Sequence, residues 1–119
     1  MRDDRERLCD ILEAAEKIRT RVQRGRDNFD EDEDLQIVLT HLIQIIGEAA
    51  TRLSPGLIDG NPQIPWRRIT GMRHRVVHDY FAIDLDILWA AATNEAPRLA
   101  EEIRKILTRP PDPPGSAPA

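Results

Sequence analysis

The sequence predicts an all-α protein, on two observations. Leu, Ile and Ala dominate its apolar residues, whereas aromatic residues make up only 4% of the chain, and this composition favours helices over sheets. In several stretches the apolar residues also recur every three or four positions, which is the period of an amphipathic helix. A length of 119 residues suits one domain with a single core.

The overall composition narrows the classes of protein to which this chain can belong. Cys9 is the only cysteine, so an internal disulfide is excluded, and we expect this side chain to be buried or half-buried. No signal peptide is evident, which predicts a cytoplasmic protein. No apolar run approaches the ~20 residues that cross a membrane, and a net charge of -4 argues against a protein that coats nucleic acid but allows a local basic site.

The first part of the chain predicts a helix and then an acidic loop. The helix begins at Asp3 or Asp4 and extends to about Arg24, where Gly25 stops it. Residues 27–34 are rich in Asp, Asn and Glu, which indicates a loop and then the solvated start of the next helix. An EF-hand is excluded because the glycine and the closing glutamate are missing. The apolar stripe of the first helix consists of Leu8, Ile11, Leu12, Ala15, Ile18 and Val22.

The second predicted helix, residues 35–53, is apolar on more than one side, because Ile43 and Ile45 widen its main stripe. Such a helix lies at the centre of its domain or packs against another subunit. Gly47 costs a helix about 1 kcal/mol relative to Ala, so we expect another helix to pass close to it, whereas His41 is expected at the surface. The main stripe consists of Leu35, Val38, Leu39, Leu42, Ile46, Ala49, Ala50 and Leu53.

Proline and glycine divide the rest of the chain. They make residues 54–65 a connector, after which a third helix is predicted over residues 66–80. A break follows at residues 81–83, Asp84 caps a fourth helix, and Pro97 indicates a kink or restart before the last helix. The domain thus covers residues 1–108, and the Pro-rich residues 109–119 are expected to be disordered. On the third helix, Ile69, Met72, Val76 and Tyr80 point one way and Arg67, Gly71, His74 and His78 the other.

Residues that suit phosphate chemistry gather in the third helix, which carries two of the three histidines, the only tyrosine and four arginines. Metal-free cleavage of RNA needs a base for the 2′-hydroxyl, an acid for the leaving 5′-oxygen and a fixed positive charge on the phosphate. Histidine can take the first two roles near neutral pH, and arginine the third. The pattern of Arg73, four residues and His78 is therefore a candidate ribonuclease site.

Several interpretations of this pattern stay open. Arg73 and His78 are about 140° apart around a straight helix, so they converge only if the helix ends near His78, if Arg73 reaches round, or if a two-fold dimer combines two copies. The alternatives are solvated histidines at positions 74 and 78 and an ion pair of Arg73 with an acid such as Glu48. A zinc site at His74 and His78 is disfavoured because no third ligand is evident.

Three segments carry a resemblance to a known family: IIGEAA at residues 45–50, IPWRRI at residues 64–69 and GMRHRVVHDY at residues 71–80. With them the chain, from Arg2 to Leu107, resembles the HEPN superfamily. Within that superfamily it is most similar to the HepT-like (DUF86) toxins, which are paired with minimal nucleotidyltransferase antitoxins in type VII-like systems.

The resemblance implies an antiparallel bundle of four to five helices that forms a homodimer and cleaves RNA without a metal or other cofactor. Arg73 and His78 match the family's catalytic pair, with His74 and Arg75 as supporting residues. His74 stands where relatives often have Asn, which leaves open whether it shares in proton transfer. Tyr80 matches the tyrosine to which the nucleotidyltransferase antitoxin transfers AMP. The other interpretation is a non-catalytic module that docks a nucleotidyltransferase and binds RNA or a nucleotide.

Overall fold

The part of the chain that the structure describes is built from helices. This computed structural model describes residues 3–77 and 82–109, and the predicted tail from Pro110 onward lies outside these ranges. Within them no β-strand forms, and the all-α prediction is confirmed. A π-helical segment, Ala91–Glu95, connects the seventh helix directly to the eighth. The helices are α1 (Asp4–Arg21), α2 (Arg26–Glu31), α3 (Glu33–Thr51), α4 (Pro55–Gly60), α5 (Trp66–Thr70), α6 (Met72–Val76), α7 (Leu85–Ala90) and α8 (Ala96–Thr108).

The longest helices, α1 and α3, pack against each other in antiparallel directions. Asp4 at the start of α1 accepts hydrogen bonds from the amide (2.9 Å) and the hydroxyl (2.5 Å) of Ser54, which lies just beyond α3. Arg7 likewise donates to the carbonyl of Arg52 at 2.7 Å. α8 also packs against α1. The buried residues of these helices share one core and are Leu8, Ile11, Ala14, Ala15, Ile18, Leu39, Leu42, Ile43, Ile46, Ala50, Ala96, Leu99, Ala100 and Ile103.

The acidic stretch after α1 contains a helix, α2, where we predicted a loop. α1 ends at Arg21, and Gly25 then adopts φ of +89°, a conformation that glycine takes at little cost. Phe29, the buried residue of α2, has its ring centre 5.0 Å from that of Trp89. One large apolar residue among acids gives no helical period, so only its packing reveals the helix. The acids predicted at the start of the next helix are Glu33 and Asp34 in the first turn of α3, and Asp32 caps that helix.

Two predictions about single side chains are wrong. Cys9 is exposed, because it follows the buried Leu8 by one position and is turned about 100° from the buried stripe. Val38, which we assigned to the main stripe of α3, is 38% exposed, and its neighbour Ile37 is 52% exposed. His41 lies at the surface, as predicted.

The connector at residues 54–65 contains a short helix, α4, that the sequence analysis did not predict. The side chain of Ser54 caps it by accepting a hydrogen bond from the Leu57 amide at 3.3 Å. Pro55 is the first residue of α4. A proline fits this position because the N–H of the first helical residue has no partner within the helix. The prolines and glycines therefore end α3 as expected, but they do not keep the connector free of helix.

The third predicted helix consists of two short helices and ends early. Val77 is extended, with φ of −107° and ψ of 118°. The Asp84 amide donates to the Val76 carbonyl at 2.8 Å, and Val77 forms an isolated antiparallel bridge with Ile83. These contacts from later in the chain accompany the end of α6 at Val76, four residues before the predicted end of the helix. Residues 78–81 lie outside the described residues.

The predictions for the last two helices are confirmed. The side chain of Asp84 caps α7 by accepting a hydrogen bond from the Ile87 amide at 3.0 Å. We expected a kink or restart at Pro97, and the structure has a π-helical segment that directly precedes α8. Pro97 has no N–H to donate to the carbonyl of Thr93, four residues earlier, so the regular α-helical pattern fails at this point.

Candidate active site

One face of the α5–α6 segment anchors it to the core. Ile69, Met72 and Val76 are 2%, 0% and 0% exposed, as the two-faced helix predicted. A β-carbon on Gly47 of α3 would lie 3.6 Å from the carbonyl oxygens of both Ile69 and Thr70. α5 therefore passes close to Gly47, as predicted, at a distance that the methyl group of an alanine would also tolerate.

A buried hydrogen-bond relay fixes the start of the segment. Trp66 is 8% exposed, and its indole N–H donates to the carbonyl of Asn61 at 3.0 Å. The side chain of Asn61, also buried, donates to the carbonyl of Leu57 at 2.9 Å. We had not singled out Asn61, because an asparagine among prolines and glycines has the pattern of an ordinary turn residue.

Three other side chains of the segment are Arg67, Arg73 and His74, which we call the outer face. All three are exposed. Over residues 3–77 and 82–109, none of the three forms an ion pair. The suggested pairing of Arg73 with Glu48 is not formed, and the Glu48 carboxylate instead lies 4.0 Å from the guanidinium of Arg52. The outer face therefore presents two guanidinium groups that an anion can reach without displacing a described carboxylate.

The other two arginines of the segment, Arg68 and Arg75, form an inner cluster with Glu95. The Arg68 Nε donates to Glu95 Oε1 at 2.6 Å. Arg75 donates to both carboxylate oxygens of Glu95, at 3.0 and 3.3 Å, and to the carbonyl of Arg68 at 3.3 Å. The Glu95 side chain is only 15% exposed. Two arginines that the sequence places beside Arg67 and Arg73 are thus bound to one carboxylate.

The pKa of Glu95 reflects two opposing effects. Burial raises it, but the hydrogen bonds and charges of Arg75 and Arg68 outweigh the burial and hold the pKa of this carboxyl below its ordinary value of 4.5. Glu95 is therefore ionised at neutral pH and balances part of the positive charge of the segment. The guanidinium of Arg75 is already hydrogen-bonded to Glu95 and Arg68, so it could contact a substrate phosphate only by giving up some of these bonds. The supporting role of Arg75 stays a prediction.

The predicted site residues fall into three groups. Arg73 and His74 are together on the outer face, and Arg75 belongs to the inner cluster. His78 and Tyr80 lie outside the described residues, although the Val77–Ile83 bridge fixes the chain immediately before His78. Across the described part of the chain, no group of three or more His, Cys, Asp or Glu side chains is arranged to hold a metal ion.

Comparison with known proteins decides the family. The sequence profile described as "Ribonuclease HepT-like" matches residues 11–106. The chain belongs to the HepT-like family. That match includes the whole of the α5–α6 segment and Glu95, so both the outer face and the inner cluster lie within the HepT-like region.

Two relatives illustrate the range of the HepT-like family. A protein of Caldanaerobacter subterraneus subsp. tengcongensis named "Putative RNase" is 30% identical, and the match covers 92% of this chain and 98% of that protein. The "Probable ribonuclease HepT" of Thermococcus cleftensis is also 30% identical, over 88% of this chain and 96% of that protein. A comparison with solved structures found no match. Over the described residues, no helix of this HepT-like chain is long and apolar enough to cross a membrane.

Proposed function

We propose that this HepT-like chain is a metal-independent endoribonuclease and the toxin of a type VII-like toxin–antitoxin pair. The observation that supports it best is the outer face, where Arg67, Arg73 and His74 are exposed with no ion pair over residues 3–77 and 82–109. Unpaired cationic groups attract the phosphates of a nucleic acid. The relatives named as ribonucleases favour RNA as that nucleic acid.

The proposed reaction is transfer of the phosphate within the RNA. His78 takes the proton of the 2′-hydroxyl, the 2′-oxygen attacks the phosphorus, and the bond to the 5′-oxygen breaks. The leaving oxygen receives a proton from His78 or from His74, and a histidine placed for such a transfer typically contributes ~10²–10⁴-fold. Arg73 neutralises the phosphate oxygens as negative charge builds up on them. The products are a 2′,3′-cyclic phosphate and a 5′-hydroxyl.

The direct test is cleavage of a labelled RNA in the presence of EDTA. We expect the wild-type protein to cut it and to leave cyclic phosphate ends. His78→Ala should abolish the cut, and Arg24→Ala, which removes an exposed arginine from the turn after α1, should cut at the wild-type rate. Cleavage by His78→Ala at the wild-type rate, or a 3′-hydroxyl product, contradicts the mechanism. RNA binding without cleavage by the wild type would instead favour the non-catalytic module.

A homodimer belongs to the same proposal. Ile37 and Val38 of α3 are exposed, and Ile37 borders a groove of about 470 Å³ that Val77, Ile83 and Leu85 also line. Exposed apolar side chains beside a groove are suited to contact a second subunit. Light scattering at micromolar concentration should give the mass of a dimer for the wild type and a smaller mass for Ile37→Glu. A wild-type monomer would exclude the proposed dimer.

The proposed partner is a minimal nucleotidyltransferase that joins AMP to Tyr80. The tyrosine oxygen attacks the α-phosphorus of ATP, pyrophosphate leaves, and the phenolic proton passes to a base of the transferase or to solvent. The attached phosphate would compete with RNA phosphate for Arg73 and repel the RNA backbone. This proposal depends on the match of Tyr80 to the family motif.

Incubation with the transferase and ATP tests the role of Tyr80. Intact-mass spectrometry should show added AMP on the wild type and none on Tyr80→Phe. The Tyr80→Phe protein should keep much of its cleavage activity but should no longer be silenced by the transferase. An AMP adduct of equal yield on Tyr80→Phe would place the modification on another residue.

A further inference from the structure

Glu95 lies at a junction of three structural elements. It is the last residue of the π-helical segment, and its carboxylate contacts Arg68 from α5 and Arg75 from α6. Arg75 uses both terminal nitrogens on it, which fixes the direction of the guanidinium as well as its distance. Glu95, which the sequence did not single out, thus connects both halves of the segment.

The packing of α6 explains why such a connection matters. α6 has only five residues and no side-chain cap at its start, and Met72 and Val76 hold it to the core through apolar contacts. Apolar contacts are not directional, so they leave some freedom for a short helix to slide or rotate. The hydrogen bonds of Arg75 to Glu95 and to the Arg68 carbonyl are directional and restrict that freedom.

The effect extends to the outer face because Arg73 and Arg75 share α6. Two residues apart on one helix, they point about 160° away from each other, so a rotation of α6 that moves one moves the other by the same angle. We infer that Glu95 is a positioning residue of the ribonuclease site, which holds Arg75 and thereby fixes where α6 presents Arg73 to the RNA phosphate. This inference rests on the proposed ribonuclease function.

Glu95→Gln tests the inference, because it keeps the size of the side chain and removes its charge. Glu16→Gln is the matched control: Glu16 also pairs with two arginines, Arg19 and Arg104, and connects α1 to α8 away from α6. We expect kcat for RNA cleavage to fall about tenfold or more in Glu95→Gln, since small displacements of a catalytic group are costly. KM should change less than threefold, and both constants should stay at the wild-type values in Glu16→Gln.

Hydrogen exchange of the α6 amides gives a second result that does not depend on cleavage. These amides should exchange about tenfold faster in Glu95→Gln than in the wild type. In Glu16→Gln they should exchange at the wild-type rate. If the wild-type protein cleaves no RNA, the proposed function fails, and the exchange result alone decides whether Glu95 holds α6. Unchanged exchange of α6 in Glu95→Gln overturns the inference, as does a wild-type kcat.

A further variant keeps the inference testable if Glu95→Gln does not fold. Glu95→Asp retains the charge but is one methylene shorter, so it can pair with the arginines only by moving them. Its kcat should lie between those of the wild type and Glu95→Gln, with a thermal midpoint close to the wild type. A wild-type kcat in Glu95→Asp together with faster exchange of α6 would show that the cluster stabilises the helix without serving the site, and would overturn the inference.

Discussion

Arg68 and Arg75 lie against the carboxylate of Glu95, whereas Arg67 and Arg73 extend into solvent from the same α5–α6 segment. The four side chains are chemically identical and lie within nine residues of one another. Their surroundings differ because the inner pair faces the π-helical segment between α7 and α8. The outer pair is exposed to solvent and forms no ion pair with a described carboxylate.

The difference shows that a cluster of arginines in a sequence is not equivalent to a cluster of available positive charges. A guanidinium bound to a carboxylate must give up those hydrogen bonds before it can take a phosphate, and its charge is already balanced. Of the four arginines, only Arg67 and Arg73 are free of an ion pair over the described residues. This difference is the reason for the proposal that the outer face binds the substrate and that the inner cluster fixes α6.

The sharpest test of this division is Arg73→Ala. We expect the rate of RNA cleavage to fall about 10²–10³-fold, as when one charge-stabilising group is removed from other enzymes. The free energy of unfolding should change by less than about 0.5 kcal/mol, because the side chain is exposed. Single-turnover cleavage and urea unfolding measure the two quantities. Cleavage at more than a tenth of the wild-type rate would mean that Arg73 is not at the site.

Arg75→Ala, unlike Arg73→Ala, should lower the stability of the fold. It removes two hydrogen bonds from a carboxylate that is mostly buried, and hydrogen bonds to charged groups are each worth a few kcal/mol at most. We expect the free energy of unfolding in urea to fall by about 2 kcal/mol, whereas Arg67→Ala should leave it within about 0.5 kcal/mol. Equal stability of the two variants would contradict the distinction between inner and outer arginines.

Acid should weaken the inner cluster selectively. Because the pKa of Glu95 is lowered in the folded protein, its ionised form stabilises the fold at neutral pH, and this contribution decreases as the pH falls below the ordinary value of 4.5. Wild type should therefore be more stable than Glu95→Gln at pH 7, and the gap should narrow below pH 4.5. Urea unfolding across this range measures the gap, and a constant gap would show that the pKa of Glu95 is not shifted by folding.

The smallest expected effect concerns Arg67. The His78→Ala variant should bind RNA without cutting it, so its binding constant can be measured at several salt concentrations. The logarithm of this constant should fall linearly with the logarithm of the salt concentration. For single-stranded RNA each phosphate contact contributes about 0.7 to that slope, so Arg67→Ala should reduce the slope by about this amount. Arg68→Ala should change it less, because the Arg68 charge is balanced by Glu95. Equal reductions would place both arginines on the RNA.

Sequence by itself determined the features that depend on near neighbours. The stripes of α1 and α3 were predicted from a period of three to four residues, and Asp84 was recognised as a cap because a cap acts three residues along the chain. The same period separated Ile69, Met72 and Val76 from Arg67 and His74. The likeness of short motifs to a known family then indicated Arg73, His78 and Tyr80, of which only Arg73 lies within the described residues.

Tertiary structure decided whatever depends on residues that are distant in the chain. The pairing of Phe29 with Trp89 reveals α2, and the bond from Asp84 to Val76 accompanies the end of α6. Arg75 and Glu95 are 20 residues apart, and their pairing left no periodic signal. Short-range patterns follow from helix geometry alone, but the partner of a charged side chain depends on which helices pack together. For that reason the sequence could locate the arginines, and only the fold could separate those bound to Glu95 from those exposed to solvent.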